Sequence, residues 1–244
     1  MARAQSIRGA SDDEGFGVKS ASRYDFDGAA ERYDQWYETA RGAMYDRLEK
    51  KAISRLLPRG GDMKKLLEIG CGTGHWSAFF SANGYNVTGV DVSEGMLMRA
   101  KQKGLQNCDF EMADAHDLPF EADSYDVVGA ITTLEFVRQP GRVIAEMARC
   151  AQKRTGQLLF GILNSLSLVN QKRRLRKDSP YVSTRFFSPD ELMRLLTPYG
   201  RVDILVSGFV PASRSLWPYA EVYDRVGRLL KRRNGAFIAA RVRL

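Results

Sequence analysis

The chain of 244 residues has little of several things that carry chemistry. Cysteine occurs three times, at Cys71, Cys108 and Cys150, an odd number at wide spacing. That usage argues against a disulfide framework and against a thiolate metal cluster, and is natural to a reducing cytoplasm. Histidine occurs twice, at His75 and His116, so imidazole chemistry has few places to sit. No metal-ligand spacing is present, and no metal site is expected. The apolar runs are short: Leu158 to Leu163 is broken by Gly161, well under the ~20 residues of a membrane span. No apolar stretch follows the charges near the N-terminus, which argues against a secretory signal and for a cytoplasmic protein.

The length suits one α/β domain with an N-terminal extension. A net charge of +8 admits an anionic partner such as nucleic acid, acidic lipid or an acidic small molecule. The excess is uneven. Residues 201–244 hold nine Lys/Arg against three Asp/Glu, and Lys172, Arg173, Arg174, Arg176 and Lys177 form a second cluster. Both clusters read as solvated faces, with contact between the basic C-terminal region and an anionic or membrane surface as the alternative.

The most informative stretch is Leu66-Leu67-Glu68-Ile69-Gly70-Cys71-Gly72-Thr73-Gly74-His75-Trp76. A short apolar run reads as a buried parallel strand, and three glycines at alternate positions as the ligand-binding turn that leaves it. The dinucleotide fingerprint G-x-G-x-x-G lacks its third glycine here, since residue 75 is His. Asp91 closes a second strand pattern 21 residues beyond Gly70, where nucleotide-binding folds place a carboxylate for the ribose hydroxyls. Ser93 then caps a helix through Met96, Leu97 and Ala100. A third strand, Cys108 to Met112, leads to Ala113-Asp114-Ala115-His116-Asp117-Leu118-Pro119-Phe120; His116 reads as exposed. A fourth, Ser124 to Ile131, precedes Thr132-Thr133-Leu134-Glu135-Phe136, and a fifth spans Gln157 to Ile162. Strands alternating with helices argue a parallel, doubly wound sheet.

Acid-x-Gly-x-Gly-x-Gly resembles motif I of the class I S-adenosylmethionine-dependent methyltransferases, and Val90-Asp91-Val92-Ser93-Glu94-Gly95-Met96-Leu97 is similar to the second motif of that family. The likeness extends over about residues 24 to 244, within the small-molecule, methyltransferase type 11-like branch. It implies a Rossmann-like seven-stranded sheet, mostly parallel, with an antiparallel last strand and an N-terminal helical lid. Residues 1–22 read as a disordered tail, 23–244 as the methyltransferase domain, 23–61 as its lid and 164–195 as an insertion that builds the acceptor pocket.

The same resemblance implies the cofactor set. Gly70, Cys71, Gly72 and Gly74 form the turn at the methionine end, with Glu68 orienting it from beneath through backbone amides or the cofactor ammonium. Asp91, with Val92 and Met96, takes the ribose. Asp114 and the amide of Ala115 read the adenine, and Thr132 completes the set. The Ala-x-x-Tyr-Asp-x-Trp pattern resembles the lid of this branch, in which Tyr33 closes over the cofactor; packing of the helix on the core is an equal reading for Tyr33 and the favoured one for Trp36.

The implied reaction moves the methyl group of S-adenosylmethionine to an acceptor by in-line displacement, leaving S-adenosylhomocysteine. The acceptor class is a small molecule of quinone, lipid or natural-product type. Glu135, His75, His116 and Tyr181 are the candidate bases, and none is singled out. The family's Glu-His after the fourth strand is here Glu135-Phe136. No Asn-Pro-Pro-Tyr-type motif stands there either, which argues against methylation of DNA bases or glutamine, and no RNA-binding module is evident, so nucleic acid is not the expected partner. The alternatives are a phospholipid or RNA methyltransferase, a non-catalytic S-adenosylmethionine-binding protein and, disfavoured by the glycine spacing, a nicotinamide-dependent oxidoreductase. Near the C-terminus, Ala236 to Arg243 is expected to run antiparallel beside Val202 to Val206. Between them Trp217, Tyr219, Val222, Tyr223, Val226, Leu229 and Leu230 fit a helix with one apolar face, read as core packing rather than a membrane-surface helix.

Overall fold

The computed structural model describes residues 26–59, 64–176, 180–182 and 184–244. The tail expected over residues 1–22 lies outside the described residues. In chain order come α1 (Ala30–Tyr33), α2 (Gln35–Glu38), α3 (Ala40–Leu56), β1 (Lys65–Ile69), α4 (His75–Ala82), β2 (Asn86–Asp91), α5 (Glu94–Gln102), β3 (Cys108–Met112) and β4 (Val127–Ile131). There follow α6 (Pro140–Cys150), β5 (Gln157–Leu163), α7 (Leu168–Arg174), α8 (Pro189–Leu196), β6 (Arg201–Ser207), α9 (Ala220–Leu229) and β7 (Phe237–Arg243).

The strands form one sheet in the order β3-β2-β1-β4-β5-β7-β6. All of β4 and nearly all of β1 and β5 are buried, because helices cover both faces and leave no side for polar alternation. On one face, Ile53 and Leu56 of α3 meet Trp76 and Phe80 of α4. On the other, Val143, Ile144 and Met147 of α6 pack with Leu192 and Leu196 of α8. The last strand, β7, is antiparallel to both neighbours, as the sequence predicts. The chain winds outward from β1 to β2 and β3, then returns to β4 on the opposite side of β1. Connections therefore diverge above the carboxyl ends of β1 and β4, which opens a crevice there.

Local signals were reliable helix markers. The Ser93 hydroxyl accepts from the Met96 amide at 3.1 Å, and Ser188 with Glu191 forms a reciprocal capping box.

The apolar stripe between β6 and β7 is the chief correction. It is not core. Tyr219, Val222, Tyr223, Val226, Leu229 and Leu230 are all exposed, and Trp217 is half-buried. The inward side of α9 is instead Ala220, Asp224 and Gly227. Asp224 Oδ1 accepts from Ser207 Oγ at 2.9 Å, Gly208 N at 2.7 Å and Phe209 N at 3.2 Å, and its carboxylate also pairs with Arg228. A side chain at Gly227 would strike the Phe209 ring. Periodicity located the stripe, but a buried carboxylate with three donors decided which side faced the sheet. Asp224→Ala is expected to lower the unfolding free energy by about 3–5 kcal/mol, since it strands a buried cation and two amides. Urea denaturation measures this, and a loss under about 1 kcal/mol would mean the anchor is no stronger than a surface pair.

Candidate functional site

The turn after β1 sits at the crevice. Gly70 has φ +68° and passes so close to Thr133 that a Cβ would overlap that side chain. Gly72 has φ +53° and open space where its Cβ would stand. Glycine serves the first for packing and the second for access to the main chain. Asp91, at the end of β2, holds the turn: Oδ2 accepts from Gly72 N at 2.9 Å and Oδ1 from Ser93 N at 3.0 Å. Burial raises the Asp91 carboxyl above its usual range, while the amides of Ser93 and Gly72 act in the opposite direction.

Ten of the twelve predicted cofactor residues line a single cleft: Tyr33, Gly70, Cys71, Gly72, Asp91, Val92, Met96, Asp114, Ala115 and Thr132. Glu68 and Gly74 stand outside its wall. Glu68 lies buried beneath the turn, where its Oε2 accepts from Ser77 Oγ at 2.5 Å, and burial pushes its carboxyl up to about 8. Among the described residues its partner is thus α4 rather than the loop amides. Gly74, with φ +77°, starts α4 against Phe110, Ala100 and Leu105.

His116, expected to be exposed, is only 9% exposed and borders the cleft. Asp114 Oδ1 takes its backbone N–H at 2.9 Å and meets Nδ1 at 2.7 Å, while Gln139 N donates to Nε2 at 3.3 Å. Those contacts require the Nδ1–H tautomer. Thr132 lines the cleft in a left-handed conformation, φ +51°, which costs about 1–3 kcal/mol for a residue other than glycine. Its amide donates to Gly161 O at 2.7 Å, which helps hold that conformation.

The N-terminal helices lie across the cleft and are latched to it. Asp27 Oδ1 accepts from Ser93 Oγ at 2.6 Å and Gly95 N at 2.9 Å. Asp34 Oδ1 accepts from Thr73 Oγ1 at 2.6 Å, and its other oxygen pairs with Lys103 at 2.7 Å. Burial pushes the Asp34 carboxyl upward, but Lys103 and Thr73 outweigh it and hold the group below its ordinary value. The Tyr37 ring stacks on His75 at 3.6 Å, and His75 Nε2 lies 2.7 Å from Asp46 Oδ1.

A second cavity of about 510 Å³ adjoins the cleft and shares Tyr33, Tyr37, Trp76 and Thr132 with it. Its further walls include Trp36, Glu49, Leu163, Arg173 and Tyr181. Two readings change here. Trp36 is 40% exposed and lines this cavity instead of packing on the core. Arg173, expected on a solvated face, lies over Tyr45, Trp36 and Tyr181 at 5.2, 5.5 and 6.0 Å from the ring centroids. The Asn170 side-chain oxygen accepts from it at 3.2 Å, and the Asn170 amide nitrogen is tied to Ala236 O at 2.7 Å.

Glu49 carries no sequence signal, because an acid within an ordinary amphipathic helix reads as a solvated residue. Burial pushes its carboxyl up to about 8, against the pull of Arg173. Among the candidate bases, Tyr181 lines the second cavity, and His75 and His116 line the cleft. Glu135 lines neither. It is fully buried, Oε1 accepts from Leu163 N at 2.5 Å, and burial pushes its carboxyl up to about 8.

Comparison with known proteins bears directly on this geometry. Residues 67–160 match the model of a family described as a methyltransferase domain. A malonyl-[acyl-carrier protein] O-methyltransferase of Hamiltonella defensa is 30% identical over 188 residues, covering 75% of this chain and 70% of that protein. An uncharacterized protein of Methanocaldococcus jannaschii is 28% identical over 216 residues, covering 88% of this chain and 96% of its own. The crystal structure of an S-adenosylmethionine-dependent methyltransferase from Thermotoga maritima superimposes with a TM-score of 0.70 at 26% identity, covering 89% of this chain and 97% of that one.

Asp34→Ala is expected to release the latch locally without unfolding the sheet. Amide hydrogen exchange over residues 30–38 should accelerate about tenfold, the equivalent of roughly 1.4 kcal/mol, while exchange in β4 and β5 stays unchanged. Because the Asp34 carboxyl is held below its ordinary value, the latch is at full strength above about pH 4 and weakens as pH falls through the folded value. Equal exchange in the variant and the parent would refute the latch.

Proposed function

We propose, for a chain that belongs to the class I S-adenosylmethionine-dependent methyltransferases, that the second cavity receives a small flat acceptor with an ionisable hydroxyl, and that the cleft receives the cofactor. The observation that carries this reading is the wall common to both spaces, formed by Tyr33, Tyr37, Trp76 and Thr132. Two ligands so placed meet where the spaces adjoin, with these side chains bordering both, so that the methyl group can face the acceptor oxygen directly.

The residues present fit the cofactor. Open space beside Gly72 lets a ligand approach the main chain. Asp91 offers acceptor oxygens for ribose hydroxyls at the end of β2, and Asp114 and Ala115 border the same cleft for the adenine. When bound, S-adenosylmethionine supplies an electrophilic methyl group on its sulfonium. The share of this chain is chiefly positioning, which can contribute roughly 7–11 kcal/mol of a barrier. Tyr33 and Tyr37, on the helices latched by Asp27 and Asp34, exclude water as part of a lid. The insertion over residues 164–195 supplies Arg173 and Tyr181 to the acceptor wall.

Glu49 is the proposed base. It takes the hydroxyl proton of the acceptor, and the Arg173 guanidinium steadies the negative charge left on that oxygen. An aromatic body is favoured by Trp36, Tyr37 and Tyr181 around the cavity. This acceptor is of the quinone or natural-product kind. The related O-methyltransferase from Hamiltonella defensa is named for a malonyl group; an acceptor carboxylate needs no base, so the two chemistries separate experimentally.

Labelled-methyl transfer to small phenolic acceptors tests the reading. With the parent enzyme the rate is expected to rise with pH through about 8, as Glu49 loses its proton. Glu49→Gln should lose about 10²–10⁴-fold in kcat together with that pH limb, with cofactor binding unchanged. An unaltered rate and profile would point to an acceptor that is already an anion and would remove Glu49 from the chemistry. Asp91→Ala should weaken S-adenosylmethionine binding about tenfold or more, measured by calorimetry on the folded variant.

A further inference from the structure

The helix α9 is built inside out. Its sheet-facing side holds small residues and a buried carboxylate, and its larger apolar side chains point away from the protein. Asp224, with its three donors and Arg228, fixes this orientation, and Gly227 admits no other close packing against Phe209. The outward face is therefore a specified feature of the fold. Val222 is 59% exposed and Leu229 72%, with Tyr219, Tyr223, Val226 and Leu230 beside them along the same helical face. A contiguous exposed apolar strip of this kind marks a binding surface.

The charge around the strip says what covers it. Arg225, Lys231 and Arg232 are exposed and form no ion pair among the described residues. The acids of the helix are both engaged elsewhere: Asp224 inside, and Glu221 with Lys51 at 2.6 Å and Arg47 at 3.1 Å. Apolar side chains rimmed by unpaired cations match an anionic lipid surface, where the former enter the headgroup boundary and the latter meet phosphate. A second copy of this chain is disfavoured, because a two-fold contact would set the same cations against each other. Among the described residues no helix is long and apolar enough to cross a membrane, so the contact lies in the plane of the surface.

We propose that α9 docks this protein on anionic lipid bilayers through its outward apolar face and basic rim. The placement sets the acceptor cavity near the interface: Trp217, in the turn before α9, packs on the same cluster as Val169 of α7, and α7 carries Arg173 into the cavity wall. Leu168 of α7 is itself 67% exposed. The docking does not depend on which acceptor the cavity takes.

Flotation of the full chain with phosphatidylcholine vesicles, with and without phosphatidylglycerol, tests it. Binding is expected only to the anionic vesicles, and is expected to weaken as salt is raised. The double substitution Val222→Asp with Leu229→Asp, and separately Arg225→Glu with Lys231→Glu, should each reduce vesicle binding at least about tenfold. Thermal stability and S-adenosylmethionine binding are expected to stay at the parent level, which shows the loss is not one of folding. Indifference of the parent to vesicle charge, or vesicle binding that both variants retain, would overturn the proposal. A stable dimer in solution that Val222→Asp with Leu229→Asp dissociates would also overturn it, and would assign the face to a second copy.

Discussion

The Asp91 carboxylate binds the amide of Gly72 with one oxygen and that of Ser93 with the other, so a single side chain joins the turn after β1 to the start of α5. Each bond to a charged acceptor is worth roughly 1.5–3 kcal/mol net. What surrounds them inherits their position. Asp27 bonds the hydroxyl of that same Ser93 and the amide of Gly95, and Asp34 bonds Thr73 within the turn. The N-terminal helices are thus attached to the very segments that Asp91 aligns. Turn, helix start and lid form one polar unit at the carboxyl edge of the sheet.

Three glutamates show why burial alone does not identify a base. Burial pushes Glu49, Glu68 and Glu135 each up to about 8. Glu68 is spent on Ser77 beneath the turn, and Glu135 on the amide of Leu163 at the end of β5. Only Glu49 stands on a cavity wall, beside an arginine packed among aromatic rings. A perturbed carboxyl is a structural brace in two cases and a chemical candidate in one, and position makes the difference.

The same distinction holds for charge. Arg173 belongs by sequence to a run of basic residues, yet Asn170 and three aromatic rings turn it into the protein, while Lys172 and Arg174 stay exposed. In α9 the relation is reversed, with apolar residues sent outward and a carboxylate brought in. Both arrangements satisfy one rule: a buried polar group settles where its partners are, and apolar surface takes the side that remains.

Much of the fold and of the cleft beside the glycine turn is legible in the chain itself, because the determinants are local. Alternate glycines between a strand and a helix impose a turn, an acid ending the next strand lies beside that turn once the two strands pair in parallel, and Ser93 and Ser188 cap helices within three residues of themselves. Those relations span one strand-turn-helix unit, and the cleft with Asp91, Asp114 and Thr132 follows from repeating it. The burial of His116, the inward turn of Arg173, the cavity position of Glu49 and the outward face of α9 do not follow. Each depends on groups far apart in sequence, such as Gln139 N on His116 or Ser207 and Phe209 on Asp224. Sequence therefore determined the alternation of strands and helices, the antiparallel last strand and the glycine turn with its acids, since period and spacing act over a few residues. Tertiary structure alone decided the wall of the second cavity and the exposed helix face, since the partners that orient those side chains meet only once the sheet has formed.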